Sequence, residues 1–389
     1  MKILHAFVQP RSGGGSLAST LATIDIGRKQ GYEIEVFTRK SSDYPNNFTG
    51  RLHAAVSAFY APDSAREFEE QLLAFKPDLV HANELFPYLS PKILEICKKH
   101  SIPLVMTCDD YHLTCPVRNH FRNQGVCTKC LGGKEYWAVV HNCRGNMPES
   151  IINAAYNFMV RKRRWISKHV DHFITCSEFT RQWLVDNADI DAKHITSIPH
   201  AIEIPEEPAD AGAGQYAAFS GRFVPEKGID DFLAAAAKCD VPAKLSRNIN
   251  HFVTINLPDT VDVVVTTQRH ELDAYYRNAR MLVFPSRWFE TYGVVGAEAM
   301  AHGIPVIAAR IGALEQLVDD GVDGFLYEPG DTDDLASKMQ RLWDDPELCR
   351  TFGSAARRKA EARFSHARNF EQTEDVYRTV LTAGRENTK

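Results

Sequence analysis

Short apolar runs that close on Gly, Pro, Ser or Asp, then give way to a helical stretch, recur along this chain. That alternation restricts its fold more than any other feature. Residues 1–8, 31–38, 78–81, 102–107, 170–175 and 195–198 read as strands, and 17–29 and 91–99 read as helices between them. Strands separated by helices pair in parallel, because parallel neighbours need a long crossover connection and a helix supplies it. The expected class is α/β, with doubly wound parallel sheets.

The alternation is interrupted once. Residues 199–215 hold Pro205, Pro208, Gly212 and Gly214 among acids and alanines, which reads as an interdomain linker. A second strand–helix series starts at 216 and runs to about 345, and 346–381 reads as helical. The division is a first domain over 1–198, a linker over 199–215, a second domain over 216–365 and a terminal helix over 366–389. At 389 residues the chain is long enough for two such domains. It has no run of eighteen apolar residues. The start, Met1-Lys2-Ile3-Leu4-His5-Ala6-Phe7-Val8, meets glycines where a cleavage site would sit, so it reads as a strand and not a leader. A cytoplasmic protein is expected. The net charge of −5 argues against a nucleic-acid partner.

One block carries chemistry. Met281–Phe284 is a short apolar strand, followed by Pro285-Ser286, a loop, and a Gly-punctuated helix around Gly293 and Gly296. Glu290 falls in the loop and Glu298 about two turns into the helix. A helix N-terminus offers unpaired N–H groups and a partial positive charge to an anion, and a nearby carboxylate can accept a pair of sugar hydroxyls. Phosphate plus sugar points to a nucleotide-sugar. A second motif, Phe219-Ser220-Gly221-Arg222-Phe223-Val224-Pro225-Glu226-Lys227-Gly228, ends a strand at Gly221 and places two cations before a helix. Ser12-Gly13-Gly14-Gly15-Ser16 is a Gly-rich turn after the first strand, which lets backbone approach a phosphate.

The 284–301 block resembles the paired-glutamate signature of retaining glycosyltransferases with the GT-B fold, most closely glycosyltransferase family 4 (group 1). Ala301-His302-Gly303-Ile304-Pro305, Gly312-Ala313-Leu314-Glu315 and Asp320-Gly321-Val322-Asp323-Gly324 continue the resemblance in register. It implies two Rossmann-like domains facing a cleft, with the terminal helix returning to the first domain. It implies that Arg222 and Lys227 hold the donor diphosphate without a metal cofactor, that Glu298 binds the ribose, and that Glu290 contacts the donor sugar. Gly221 and the backbone of Thr291, Tyr292 and Gly293 complete the donor site, with the Gly13–Gly15 loop across the cleft. Transfer in this family is described as front-side attack assisted by the leaving phosphate, so no side-chain nucleophile is expected. The donor would be a UDP- or GDP-sugar. The acceptor would be a glycan or a lipid-linked precursor of cell-surface polysaccharide or glycolipid. Another GT-B enzyme, an epimerase or phosphorylase, and a non-catalytic nucleotide-sugar binder are the alternatives.

The chain departs from the family at three places. The segment after the fourth strand usually carries His-Asp, where this chain has Asp109-Asp110, with His112 three positions on. Asp109 therefore stands where the resemblance puts a sugar contact; an ionised carboxylate accepts but cannot donate. A Gly-rich turn of the family is replaced by Ala243-Lys244-Leu245-Ser246-Arg247-Asn248, and Val265 stands where a Gly near the base is common.

Cys115, Cys127, Cys130 and Cys143 cluster within an insertion at about 115–145, and some relatives carry a Cys-rich insertion here. Four thiolates suit a tetrahedral structural zinc, with His120 and His141 as alternative ligands; disulfides and buried thiols compete. Residues 1–200 carry 24 Lys/Arg against 20 Asp/Glu, whereas 201–389 carry 21 against 30. The basic half peaks at Arg161-Lys162-Arg163-Arg164 beside Trp165. That is either a solvated helix face or a contact with an anionic membrane surface, as a peripheral protein would make.

Overall fold

The computed structural model describes residues 1–11, 15–45, 47–247, 257–258 and 260–386. The chain divides into two compact units. The first comprises Met1–His120, Thr128–His200 and Asn369–Lys389, and the second Phe121–Cys127 and Ala201–Arg368.

The first unit is built on six parallel strands: β1 (Lys2–Gln9), β2 (Glu33–Lys40), β3 (Leu79–Ala82), β4 (Leu104–Cys108), β5 (His172–Thr175) and β6 (Ile195–Ser197). Their order across the sheet is β2-β1-β3-β4-β5-β6. Alternate residues of β1 feed opposite faces: Leu4, Ala6 and Val8 enter one apolar core, and Ile3 and Phe7 the other. Both faces are covered, which is why these strands read as near-continuous apolar runs. The second face is closed from two distant parts of the sequence. Helix Gly15–Lys29 gives Ile24, and helix His366–Glu386 gives Val376, Tyr377 and Val380. Asn369 Nδ2 donates to the Pro199 carbonyl at 2.7 Å.

The second unit has β7 (Tyr216–Ser220), β8 (Ala243–Arg247), β9 (Val261–Val265), β10 (Ala279–Phe284), β11 (Val306–Ala309) and β12 (Gly324–Tyr327), all parallel, in the order β9-β8-β7-β10-β11-β12. The order reverses between β7 and β10, where a doubly wound sheet opens a crevice at its carboxyl edge.

Three expectations gain detail. The 199–215 stretch contains the boundary between the units, and from Ala201 it belongs to the second. Ile202 N–H donates to the Phe364 carbonyl and Ala209 N–H to the His302 carbonyl, both at 2.7 Å. The buried Arg357 guanidinium donates to the Pro205 and Ala301 carbonyls at 2.6 Å each. Prolines and glycines there mark a segment whose backbone bonds to its neighbours, not one without partners. The 346–381 helical stretch consists of two helices, Pro346–Arg363 and His366–Glu386, the second starting at the residue where the terminal helix was expected. Finally, Ala243–Arg247 is a strand; the residues after it, Asn248 included, lie outside the described ones.

Candidate active site

The second unit gathers its charged groups at the β7/β10 reversal. β7 ends at Ser220, and the turn through Gly221 and Arg222 leads to a 3-10 turn over Pro225–Lys227. β10 ends at Phe284 and passes through Pro285-Ser286. The two loops are locked together: Arg287 N–H donates to the Glu226 carbonyl at 2.9 Å. Gly228 has φ +67°, and a Cβ there would lie 1.7 Å from the Pro285 carbonyl oxygen, so only glycine permits the approach. That closeness delivers Lys227 to Glu290. Lys227 Nζ lies 2.6 Å from Glu290 Oε1, and Ser286 Oγ donates to the same oxygen at 2.5 Å. Glu290 is 4% exposed. The Lys227 ammonium also sits 5.1 Å from the centre of the Trp288 ring.

A third loop fixes Glu290 from behind. Ala313 N–H donates to the Glu290 carbonyl at 2.9 Å. A Cβ on Gly312, where φ is +62°, would come within 2.8 Å of Glu290's backbone N and O. The Gly312-Ala313-Leu314-Glu315 motif is thus the support of the glutamate.

Glu298 is only about one turn into its helix, Val294–Ala301, closer to the N-terminus than expected. Arg269 Nη1 lies 3.1 Å from Glu298 Oε1, and Tyr276 OH donates to Oε2 at 3.2 Å. Burial raises its pKa above the ordinary glutamate value, against the pull of Arg269. Arg222 is the outlier: its side chain is 57% exposed, with Glu226 at 3.9 Å. Tyr292 is buried with its ring 6.0 Å from that of Phe364. Gly293, at φ +100°, is the N-cap.

In the first unit, Asp109 directly follows β4. Ser16, from the first turn of the Gly15–Lys29 helix, donates its hydroxyl to Asp109 Oδ2, and His200 Nε2 lies 3.9 Å from Oδ1. Gly15 opens that helix; Gly13 and Gly14 lie outside the described residues. Beside Asp109 a network joins Glu84, Asp110, His112 and Arg118. Arg118 Nη1 is 2.5 Å from Glu84 Oε2, and His112 Nδ1 is 2.5 Å from Asp110 Oδ1. Burial raises Glu84 despite Arg118. For Asp110, burial is outweighed by His112 and Arg118, which hold it well below the usual carboxylate range. These groups line a pocket of about 450 Å³, walled by Phe7, Leu17 and Phe86.

The cysteine expectation meets a different geometry. All nine cysteines are free of disulfides. Four sulfurs on one zinc lie about 3.8 Å apart, from a Zn–S bond of about 2.3 Å. Among the described residues, the one group of three or more His, Cys, Asp or Glu with ligand atoms within 4.8 Å of one another is Asp109, Cys176 and His200. Cys115, Cys127, Cys130 and Cys143 are not among the residues of that group.

Sequence reasoning missed Arg269, Tyr276 and Ser286. Ser286 lay within the motif without a role; Arg269 and Tyr276 meet Glu298 only through folding.

The sequence pattern described as "Glycosyl transferases group 1" matches residues 202–359, and that described as "Glycosyltransferase Family 4" matches 14–205. The chain belongs to this family. An uncharacterized glycosyltransferase of Methanocaldococcus jannaschii is 34% identical over 148 residues, 36% of this chain and 42% of that one. The chain spans less than half the length of curated relatives it matches. Among solved structures, sucrose-phosphate synthase from Thermosynechococcus elongatus superposes with a TM-score of 0.71 at 20% identity, covering 98% of this chain and 99% of that one. HepE of Anabaena in complex with UDP-glucose gives 0.64 at 20% identity, covering 97% and 100%. The fold is GT-B, two Rossmann-like parallel-sheet domains.

Proposed function

We propose that this chain is a retaining, metal-independent hexosyltransferase that moves a sugar from a UDP- or GDP-sugar to a glycan or lipid-linked acceptor. The observation that carries the reading is the cluster at the β7/β10 reversal: Lys227, Ser286 and Glu290 within 2.6 Å contacts, and Glu298 one turn into the adjacent helix. In this reading the diphosphate departs toward Lys227, Arg222 and the N-terminus of helix Val294–Ala301. These fixed charges and dipoles stabilise negative charge as it builds on the leaving group. Glu298 accepts the ribose hydroxyls. Glu290, held by Lys227 and Ser286, accepts from the sugar and is not the nucleophile. Asp109 accepts from the same sugar in place of the family's histidine. The UDP-glucose bound by HepE supports a nucleotide-sugar donor here.

The membrane-side acceptor rests on one helix of the first unit, Met147–Lys162. Met147, Ile151 and Phe158 lie along one face and are 45%, 49% and 45% exposed. That stripe runs into the exposed Lys162, Arg163 and Arg164. Apolar anchors beside cations are what an anionic bilayer surface binds. No helix among the described residues is long and apolar enough to cross a membrane.

Thermal stabilisation across UDP-, GDP-, ADP- and dTDP-sugars tests the donor, followed by transfer assays with the nucleotide that stabilises. A shift with one nucleotide and release of that nucleoside diphosphate only with acceptor present agrees with the reading. Free epimer, or a phosphate requirement, replaces it with an epimerase or phosphorylase. Binding without turnover on any acceptor leaves a non-catalytic binder.

A further inference from the structure

We propose that Asp109, Cys176 and His200 form a binding site for a single zinc-class transition metal ion at the carboxyl edge of the first sheet. The site follows from strand register. Cys108 at the end of β4 pairs with Thr175 at the end of β5, and Thr175 pairs with Ser197 at the end of β6. The next residues on the first two strands are Asp109 and Cys176, and His200 follows β6 after Ile198-Pro199. Neighbouring strands run about 4.8 Å apart, so the ends of β4 and β6 stand about 10 Å apart, and the segment after β6 brings His200 Nε2 back to 3.9 Å from Asp109 Oδ1. A carboxylate oxygen, a thiol sulfur and an imidazole nitrogen accordingly lie within 4.8 Å of one another. Cys176 is 1% and His200 8% exposed, and the Asp109 side chain 16%.

The donor set selects the ion. One thiolate, one imidazole and one carboxylate suit zinc and cobalt, whereas magnesium and calcium require oxygen ligands. Three protein ligands leave one tetrahedral position for a small molecule. Asp109 and His200 also line a cavity of about 30 Å³, room for one water-sized ligand. His5 and Asn83, almost fully buried, line the same cavity. Their Nδ1 and Oδ1 atoms have no hydrogen-bond partner among the described residues. Burial depresses the His5 pKa, leaving a neutral imidazole that can accept from a metal-bound water. The Ser16 hydroxyl on Asp109 Oδ2 orients the carboxylate from outside the triad, as the partners of metal ligands do. Binding converts the Cys176 thiol to a thiolate and releases its proton to solvent. The site is separate from the cysteine insertion; it shares Asp109 with the proposed sugar contact, so a bound ion and that contact are alternative uses of one carboxylate, and the proposed transfer itself requires no metal.

The test is a cobalt titration of the reduced, metal-free full-length protein, followed by the thiolate-to-cobalt charge-transfer absorption, in three proteins: the natural chain, Cys176→Ala, and Cys127→Ala with Cys130→Ala. The natural chain and the insertion variant should both show the band, and Cys176→Ala should lose one equivalent of bound cobalt. Competition with a chromophoric chelator should show zinc affinity at least tenfold weaker in Cys176→Ala. Circular dichroism checks that each variant is folded, and His200→Gln replaces Cys176→Ala if the latter is not. A band unchanged by Cys176→Ala or His200→Gln, or abolished by the insertion variant, overturns the proposal, as does the absence of any band in the natural chain.

Discussion

Both units place their polar groups at the carboxyl ends of a six-stranded parallel sheet, yet they assemble them differently. The second draws Lys227, Ser286 and Glu290 from two loops at one reversal of strand order, pinned by glycines that let backbones touch. The first draws Asp109, Cys176 and His200 from three neighbouring strand ends that lie far apart in sequence. One centre is an ion pair already made; the other is a set of donors that a cation would complete. The difference teaches that a cluster drawn from contiguous loops leaves a motif in the sequence, whereas one made by register alone leaves none.

The comparison can be broken most decisively at the ion pair. Lys227→Ala should lower transfer about 10²-fold or more, as loss of a fixed charge on a leaving group does. It should also destabilise the second unit by about 3–5 kcal/mol, because Glu290 is left buried and uncompensated. Transfer from a labelled nucleotide-sugar and urea unfolding read the two effects, and an active, equally stable variant removes the pair from the site. Gly312→Ala should cost about 1–3 kcal/mol, since its backbone sits at positive φ against Glu290, and should lower transfer with it; an unchanged unfolding midpoint contradicts the support role. Glu298→Gln should weaken nucleotide-sugar binding by about 1.5–3 kcal/mol, the worth of a hydrogen bond to a charged group. Asp109→Asn should slow transfer while leaving UDP affinity within twofold, if the first unit handles sugar and the second nucleotide; calorimetry separates the two.

The smallest effects concern pH. Burial raises Glu298, so donor affinity should fall on acidification at a higher pH than for an exposed glutamate, and Glu298→Gln should flatten that limb. In the first unit, burial opposes but Asp110 prevails in holding His112 above its free value of 6.5. The stability this supplies is full below 6.5 and is lost as pH rises through the raised value. Asp110, held low, contributes above its free value of 3.8 and loses that contribution as pH falls through the depressed one. Asp110→Asn should remove the alkaline slope of stability; a slope that persists assigns it elsewhere.

The second unit was the more legible in sequence because its chemistry sits in contiguous strings: 219–228, 284–301 and 312–315 each combine a strand end, a turn and a helix start. The six strands of the first sheet were found within about two residues, since both-face burial leaves an unbroken apolar run, whereas Ala243–Arg247 and Val261–Val265 of the second were not named as strands. The anchoring of the 199–215 stretch was not legible, because prolines and glycines signal a missing helix and say nothing of partners, while Ile202 and Ala209 bond outward to other segments. Arg269 on Glu298 and the Asp109–Cys176–His200 group were invisible for one reason: each exists only once separate strands lie side by side.

The last helix has a temporal meaning. Tyr377 shares a 2.6 Å hydrogen bond with His81 Nδ1 and closes one face of the first sheet from 296 residues downstream. The first unit therefore cannot close that face until the whole of the second, Ala201–Arg368, has been synthesised between its two parts. A chain shortened by the terminal helix would leave Ile3, Phe7 and Leu79, near the start of the chain, without their cover.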